Sequence, residues 1–177
     1  ELQRQLDSIS RNVAEIRFRP DGSVIYASNI FLEMLGYKLE EIAGQHHRIF
    51  CEKNYANTAD YSRFWQKLAD GHLQSGLFRR LRKDGNLVLI EATYIPVQNQ
   101  DGKVIEIIKI GSDVTQRENE LLSLRAVHAA ISRSMAEIEF TPNGDILHAN
   151  ENFLRAMGYR QGEIVNILLK IKNSFLP

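Results

Sequence analysis

Two adjacent histidines, His46 and His47, are the side chains of this sequence best suited to hold a metal ion or a haem. Neutral imidazole ligates haem iron and zinc, and its second nitrogen is then usually fixed by a neighbouring group. Zinc is disfavoured because the single cysteine, Cys51, follows the pair without the paired ligand spacing of a structural zinc site. One of the two histidines is therefore predicted to be an axial haem ligand. The alternative is that both lie at the surface or support a site without binding the metal, and no other metal is assigned.

Other chemically capable residues do not form a recognisable catalytic arrangement. No Ser-His-Asp order, glycine-rich phosphate loop or carboxylate pair stands out, so an enzyme is not indicated. The one basic cluster consists of Arg79, Arg80, Arg82 and Lys83. Because side chains alternate faces along a strand, the cluster is predicted to split and to form a solvated hairpin surface, with anion binding as the lesser alternative.

The composition excludes several classes of protein. The 177 residues carry 22 basic and 22 acidic side chains, which argues against a nucleic-acid partner because such proteins usually present a strongly basic face. No apolar run approaches the roughly 20 residues that cross a bilayer, so no membrane contact is predicted for this segment. A single thiol excludes an intrachain disulfide and fits a reducing, cytoplasmic location.

The histidines lie within a regular series of short elements. A hairpin is predicted from two alternating segments, 14–18 and 24–27, which flank the turn Pro20-Asp21-Gly22. Two short helices that end at glycines follow, and then a longer helix at 59–69 with aromatic residues at helical spacing. Three further strands, joined by turns rich in Asp, Asn and Gly, are predicted at 77–81, 87–96 and 104–111.

The opening of this series is repeated later in the chain. AEIRFRPDG at 14–22 corresponds to AEIEFTPNG at 136–144, and the match continues without a gap to the Glu-Ile pairs at 41–42 and 163–164. A repeat spaced by a whole domain length predicts two copies of one domain rather than a solenoid. The predicted segments are a leader helix at 1–13, a complete domain at 14–115, a linker helix at 116–135, a truncated second domain at 136–165 and an unexplained tail at 166–177.

Five motifs, in this order, resemble those of a PAS sensor domain. They are the turn Pro20-Asp21-Gly22, the helix and stop at 31–37, the helix end at 64–71, the hairpin turn at 82–85 and the closing Asp113-Val114-Thr115. The stretch 44–51, GQHHRIFC, further resembles the tandem PAS modules of bacterial chemoreceptors of the aerotaxis and biofilm-dispersal types. The resemblance implies an α+β PAS fold, in which short helices flank a five-stranded antiparallel sheet, together with amphipathic leader and linker helices.

The resemblance also implies a pocket between the sheet and the helix at 59–69. The pocket would hold haem b, FAD, a small metabolite or no cofactor. Many haem-binding relatives carry the axial histidine on that helix, which here has none. The spacing from Trp65 through Gly71 to Gly76 resembles a flavin-binding branch, although Gln74 stands where that branch commonly has an aromatic. Light-driven flavin chemistry is not expected, because Cys51 lacks the Asn-Cys-Arg context of the photoactive cysteine. The candidate cofactor-binding residues are His46, His47, Trp65 and Gln74.

In the family, an aspartate and a threonine at the end of the domain couple the sheet to the exit helix. Here Asp113 is predicted to accept hydrogen bonds or a basic partner, and Thr115 to cap the helix that starts at Gln116. The predicted function is the sensory input module of a bacterial signal-transduction protein, of the methyl-accepting chemotaxis type. It would act as a homodimer upstream of a signalling domain in the same chain. The alternative is a cofactor-free PAS module for dimerisation and protein interaction.

Overall fold

A computed structural model describes residues 13–160 and residue 163 of the chain. The chain divides into two compact units, and the division falls inside the longest helix, between Glu118 and Asn119. The elements of the first unit and this helix are, in chain order, β1 (Ala14–Phe18), β2 (Val24–Ala27), α1 (Asn29–Leu35), α2 (Leu39–Ile42), a 3-10 helix (His47–Phe50), α3 (Lys53–Ala56), α4 (Ala59–Ala69), β3 (Gln74–Leu81), β4 (Leu87–Gln98), β5 (Val104–Asp113) and α5 (Thr115–Ser134). The predicted tail lies outside the described residues, as does the leader helix apart from Val13.

The strands of the first unit form one antiparallel, five-stranded sheet in the order β2-β1-β5-β4-β3. This architecture confirms the predicted α+β fold. Strands β3, β4 and β5 all extend beyond their predicted bounds. The predicted bounds followed the apolar alternation, whereas backbone pairing continues through the polar residues at the strand ends.

The core lies between one face of the sheet and the short helices. Alternate residues of each strand point into it because side chains of a strand alternate faces. The fully or almost fully buried apolar residues include Ile16 and Phe18 of β1, Phe31 and Leu35 of α1, Leu68 of α4, Val88, Ile90 and Tyr94 of β4, and Ile107 of β5. This packing leaves a layer of aromatic rings between α4 and β4.

Helix α1 shows how the local sequence fixes the elements around the core. Its N-cap is Ser28, whose side-chain oxygen accepts a hydrogen bond from the Phe31 backbone at 3.3 Å and another from the Glu15 backbone at 3.0 Å. Its end is Gly36, which adopts the left-handed conformation with φ of 75° that favours glycine. The cap therefore ties the start of α1 to strand β1.

The second unit repeats this opening. It contains β6 (Ile138–Phe140), β7 (Ile146–Ala149) and α6 (Glu151–Met157), with β6 and β7 paired as a hairpin. Asn150 takes the place of Ser28, because its side-chain oxygen accepts from the backbones of Phe153 at 2.8 Å and Glu137 at 3.0 Å. Within the described residues, the unit has only these elements beyond its portion of α5.

A methyl group added at Gly111 is expected to destabilise the first unit. Its Cβ would lie 2.8 Å from Ile90 Cγ2 and 2.9 Å from Ala92 Cβ, closer than packed carbons approach. We expect Gly111→Ala to lower the free energy of unfolding by about 1–3 kcal/mol, measured by urea denaturation with Trp65 fluorescence as the probe. The matched control is Ser112→Ala at the exposed neighbouring position. An unchanged midpoint for Gly111→Ala would contradict the packing described.

Candidate functional site

A buried polar cluster surrounds His47, the first residue of the 3-10 helix. The His47 ring is fully buried, with Nδ1 3.0 Å from the hydroxyl of Tyr61 on α4 and Nε2 3.0 Å from the hydroxyl of Tyr94 on β4. Arg80 of β3 donates through Nη2 to the same Tyr94 oxygen at 3.2 Å. Because that oxygen already accepts from Arg80, we assign the Tyr94 hydroxyl as the donor to Nε2, which leaves Nδ1–H to donate to Tyr61. The cluster thus joins two helices and two strands.

Burial sets the protonation states of this cluster. Burial, reinforced by the positive charges of Arg80 and Lys109, lowers the pKa of His47 well below its ordinary value, so the ring is neutral. Burial likewise raises the pKa of the Tyr61 and Tyr94 hydroxyls, which stay protonated. The Cys51 sulfur lies 3.7 Å from His47 Nδ1, and burial raises the pKa of its thiol. A protonated thiol in this environment is a weak nucleophile.

Arg80 corrects the expectation that the basic cluster of β3 is entirely a solvated surface. It is 2% exposed, and its Nη1 donates to the Arg79 carbonyl at 2.6 Å while Nε has no hydrogen-bond partner among the described residues. The alternation of the strand places Arg80 on the inner face with Phe78, so its side chain runs into the core. Arg79 stays at the surface and pairs with Glu52 at 3.2 Å.

Lys109 is a second buried cation that the sequence analysis did not single out. It is 2% exposed and lies directly opposite Tyr94 in the β4–β5 pairing. Its Nζ lies 5.1 Å from the centre of the Tyr94 ring and 5.5 Å from that of Phe31. Burial, with the charge of Arg80, lowers the pKa of its amine well below the ordinary value. The alternation of β5 could have predicted this burial, since Lys109 lies two residues from each of the inward residues Ile107 and Gly111.

The predicted cofactor residues are only partly brought together. The Trp65 ring packs against both histidines, with ring centres 5.7 Å from His46 and 5.2 Å from His47. His46 is half-buried, and its Nδ1 accepts from the Arg48 backbone at 3.1 Å. Gln74 lies opposite Tyr94 in the β3–β4 pairing, but its side-chain amide donates to the Leu73 carbonyl at 2.8 Å.

In the packing observed, His47 does not fit haem and Gln74 does not fit FAD. An axial ligand must offer a free nitrogen lone pair to iron, whereas each nitrogen of His47 is engaged by a tyrosine. The His47 ring is also enclosed by Phe18 and Phe50, with ring centres at 5.4 and 6.0 Å. For a flavin, Gln74 offers no stacking surface. Either cofactor would require the interior to open.

A second group of polar residues lies where the sheet meets α5. Asp113 Oδ2 accepts from Arg82 Nη2 at 2.6 Å, and Asp113 Oδ1 accepts from the Thr115 backbone at 2.9 Å and from its hydroxyl at 2.5 Å. The Thr115 hydroxyl oxygen accepts in turn from the Leu89 backbone of β4 at 2.9 Å. We call Arg82, Asp113, Thr115 and Leu89 the exit cluster. Thr115 was predicted to be the N-cap of the helix but is the first residue of α5. Its hydroxyl oxygen accepts from β4 and not from the backbone of the helix.

Known proteins place this architecture in a family. A family model described as the PAS fold matches residues 24–111, which span the sheet from β2 to β5 and all the short helices. Residues 24–111 form a PAS domain. The resemblance inferred from the five motifs is therefore confirmed. No helix within 13–160 is long and apolar enough to cross a membrane.

The relatives of this PAS domain include sensory proteins of bacteria. The chain is 38% identical over 159 residues to the biofilm dispersion protein BdlA of Pseudomonas aeruginosa, covering 90% of this chain and 38% of BdlA. It is 26% identical over 95 residues to the aerotaxis receptor of Escherichia coli, covering 54% of this chain and 18% of the receptor. The chain thus spans well under half the length of either relative.

Solved structures show the same PAS architecture. An RNA-binding light-oxygen-voltage receptor matches with a TM-score of 0.62 and 26% identity, covering 72% of this chain and 37% of its own. A light-oxygen-voltage protein of Rhodobacter sphaeroides matches with a TM-score of 0.52 and 19% identity, covering 64% of this chain and 69% of its own. The second likeness concerns the fold alone.

The buried, neutral His47 predicts a loss of stability in mild acid. In the unfolded chain the imidazole takes up a proton as the pH falls through about 6.5, whereas in the folded PAS domain the lowered pKa resists protonation. The contribution of His47 to stability is therefore complete above that pH and declines below it, by up to about 1.4 kcal/mol per pH unit.

This prediction is tested by urea denaturation between pH 7 and pH 5. The expected result is that His47→Gln has a flatter dependence of stability on pH than the unmodified chain. His72→Gln, at an exposed histidine, serves as the matched control and should retain the full slope. Equal slopes for both variants and the unmodified chain would contradict a neutral, buried His47.

Proposed function

We propose that this PAS domain is the cytoplasmic sensory input module of a bacterial signal-transduction protein of the chemoreceptor type. Its interior would bind a small ligand, and the state of the interior would pass through the last strands to α5. The observation that carries the proposal is the exit cluster, because its hydrogen bonds join β4, β5 and the residue that follows β3 to the first residue of the exit helix. The similarity to BdlA and to the aerotaxis receptor supports a sensory role.

The same strands carry both the interior cluster and the exit cluster. Arg80 lies on β3 and Arg82 directly follows the end of that strand, while β5 contributes Lys109 to the interior and Asp113 to the exit cluster. A ligand that shifts β3 against β5 would change the 2.6 Å contact between Arg82 and Asp113. Charged hydrogen bonds are sensitive to such changes in distance and angle. A small displacement inside the domain would therefore alter how α5 is held.

Electrostatics favour an intact exit cluster in the resting domain. Burial raises the pKa of Asp113, but the hydrogen bonds from Thr115 and Arg82 outweigh this and bring its pKa below the ordinary value. The carboxylate therefore remains ionised at neutral pH and holds both donors. Arg82 also donates to the Met34 carbonyl at the end of α1, which fixes the guanidinium from its other side.

Haem and FAD are not part of this proposal, because both require the packing around His47 to open. An absorption spectrum from 300 to 700 nm, of chain purified from cells replete with haem and flavin, tests this choice. The expected spectrum lacks bands of either cofactor. A sharp band at about 400–430 nm that disappears in His47→Ala or His46→Ala would show that the interior opens to haem and would overturn this part of the proposal.

A cofactor-free dimerisation module is the second candidate, favoured by the surface of α5. Leu121, Leu124, Val127 and Ile131 of α5 are all at least 40% exposed in the structure. Such residues at spacings of three and four form a stripe that a second copy of the helix could cover. Sedimentation of the chain and of Leu124→Glu tests this candidate, which requires a dimer that the variant dissociates.

Asp113→Ala is expected to uncouple α5 from the sheet. The variant removes the acceptor of Arg82 and Thr115, so amide exchange in the first turn of α5 should accelerate severalfold while the core amides of β4 and β5 stay protected. The loss in stability should be about 0.5–2 kcal/mol, the cost of losing one cap. In the receptor that contains this domain, the response to stimulus should be lost.

The control for this experiment is Asp101→Ala in the exposed turn between β4 and β5, which should change neither exchange in α5 nor signalling. A general loss of protection across the sheet in Asp113→Ala would mean that the exit cluster stabilises the fold and does not relay a signal. An unchanged response to stimulus would also overturn the proposed relay.

A further inference from the structure

Arg80 and Lys109 place two basic side chains inside one small domain without an opposing charge. Both side chains are only 2% exposed. Across the described part of the chain, neither forms an ion pair with a carboxylate. Buried arginine and lysine are ordinarily paired, because an isolated charge in the interior is costly. The two cations are therefore the least satisfied feature of the core.

The hydrogen bonds of the two cations are also incomplete. Arg80 uses Nη1 and Nη2 but leaves the buried Nε–H without an acceptor, and Nζ of Lys109 faces two aromatic rings. Both groups meet at Tyr94, since Arg80 binds its hydroxyl and Lys109 lies over its ring. The charge of Arg80 disfavours a proton on Lys109, and a negative group beside the two side chains would relieve that repulsion.

A groove leads from the surface to Arg80. It has a volume of about 450 Å³ and is lined by Tyr55 of α3, by Glu52, and by the β3 segment from Leu77 to Arg80. The ring centres of Phe78 and Tyr55 lie 5.1 and 5.9 Å from the Arg80 guanidinium carbon, so the inner end of the groove is aromatic and positively charged. The Glu52 carboxylate in the groove is paired with Arg79 and does not neutralise Arg80.

We propose that the inner end of this groove binds a small organic carboxylate, with Arg80 as the direct contact and Lys109 as a second charge across Tyr94. The inference rests on the proposed function, for which it names the class of ligand. The unpaired Nε–H of Arg80 is buried behind the wall of the groove, and it supplies the donor that a carboxylate oxygen requires once the ligand displaces that wall. The rings of Tyr55 and Phe78 supply an apolar wall for the body of the ligand. The interior cations are thus satisfied only when the ligand is present.

Binding should be accompanied by proton uptake. Burial and the charge of Arg80 lower the pKa of Lys109, and a bound carboxylate would raise it again. The groups that bear on Lys109 are Arg80 of β3, Tyr94 of β4, and His47 and Cys51 beside the 3-10 helix. Calorimetry in two buffers of different ionisation enthalpy measures the uptake directly.

The test compares benzoate with the uncharged benzamide, and both with inorganic phosphate, on the full chain. We expect benzoate to bind with proton uptake at neutral pH, and benzamide to bind at least about tenfold more weakly, because a charged hydrogen bond is lost. Arg80→Gln should weaken benzoate binding by about tenfold or more. Arg63→Gln, at an exposed arginine of α4 that does not line the groove, should leave it unchanged. Lys109→Met should weaken binding severalfold and abolish the proton uptake.

Several outcomes would overturn the inference. Equal binding of benzoate and benzamide, or no binding of benzoate at millimolar concentration, would exclude a carboxylate site. Binding of phosphate alone would replace the organic carboxylate by an inorganic anion. If Arg80→Gln fails to fold, the comparison of ligands on the unmodified chain and on Lys109→Met decides the question. Benzoate that binds without changing amide exchange in α5 would keep the site and overturn the relay of the proposed function.

Discussion

The hydroxyl of Tyr94 is the point on which the interior of the PAS domain depends. It accepts from Arg80 and contacts His47, while its ring packs on Phe64 and Phe78 with centres 5.0 and 5.1 Å away. A buried polar group is tolerated when its hydrogen bonds are made, and one hydroxyl here serves two side chains. Without it, a neutral imidazole and a guanidinium would both be left in an apolar core. The 3-10 helix and β3 are both tied to that one oxygen, and α4 is tied to the same cluster through Tyr61 and His47.

The second constraint is the geometry of the strands. One strand can carry residues of two separate clusters at different points along its length. Residues two apart lie on one face and about 6–7 Å apart, which is the reach of a long side chain. Strand β5 carries Lys109 in the core and Asp113 in the exit cluster, and Arg82 of the exit cluster lies two residues after Arg80, just beyond the end of β3. Interior and exit are therefore connected through a single rigid element, and no intervening loop has to transmit a change.

Much of the fold follows from local signals in the sequence. The hairpin turns, the N-cap at Ser28 and the glycine stop at Gly36 set element boundaries that depend on backbone conformation alone. The interior cluster could be predicted only in part. His47 and Trp65 were identified by residue type, whereas Arg80 and Lys109 were not, because alternation indicates a face of the sheet but not which charged residue will be enclosed there. That outcome depends on the helices that cover the face, and their positions are set by long-range packing.

The position of β1 in the sheet also bears on how the protein is made. Strand β1 pairs with β5, so Ala14 lies opposite Gly111 and the first strand closes the sheet with the last. During synthesis, β1 and β2 emerge from the ribosome long before their partner exists, and contacts between such distant segments form slowly. The apolar face of the β1–β2 hairpin therefore stays exposed until nearly the whole domain has been translated. A chain interrupted before β5 would be a substrate for chaperones, and the domain is expected to fold in one late step.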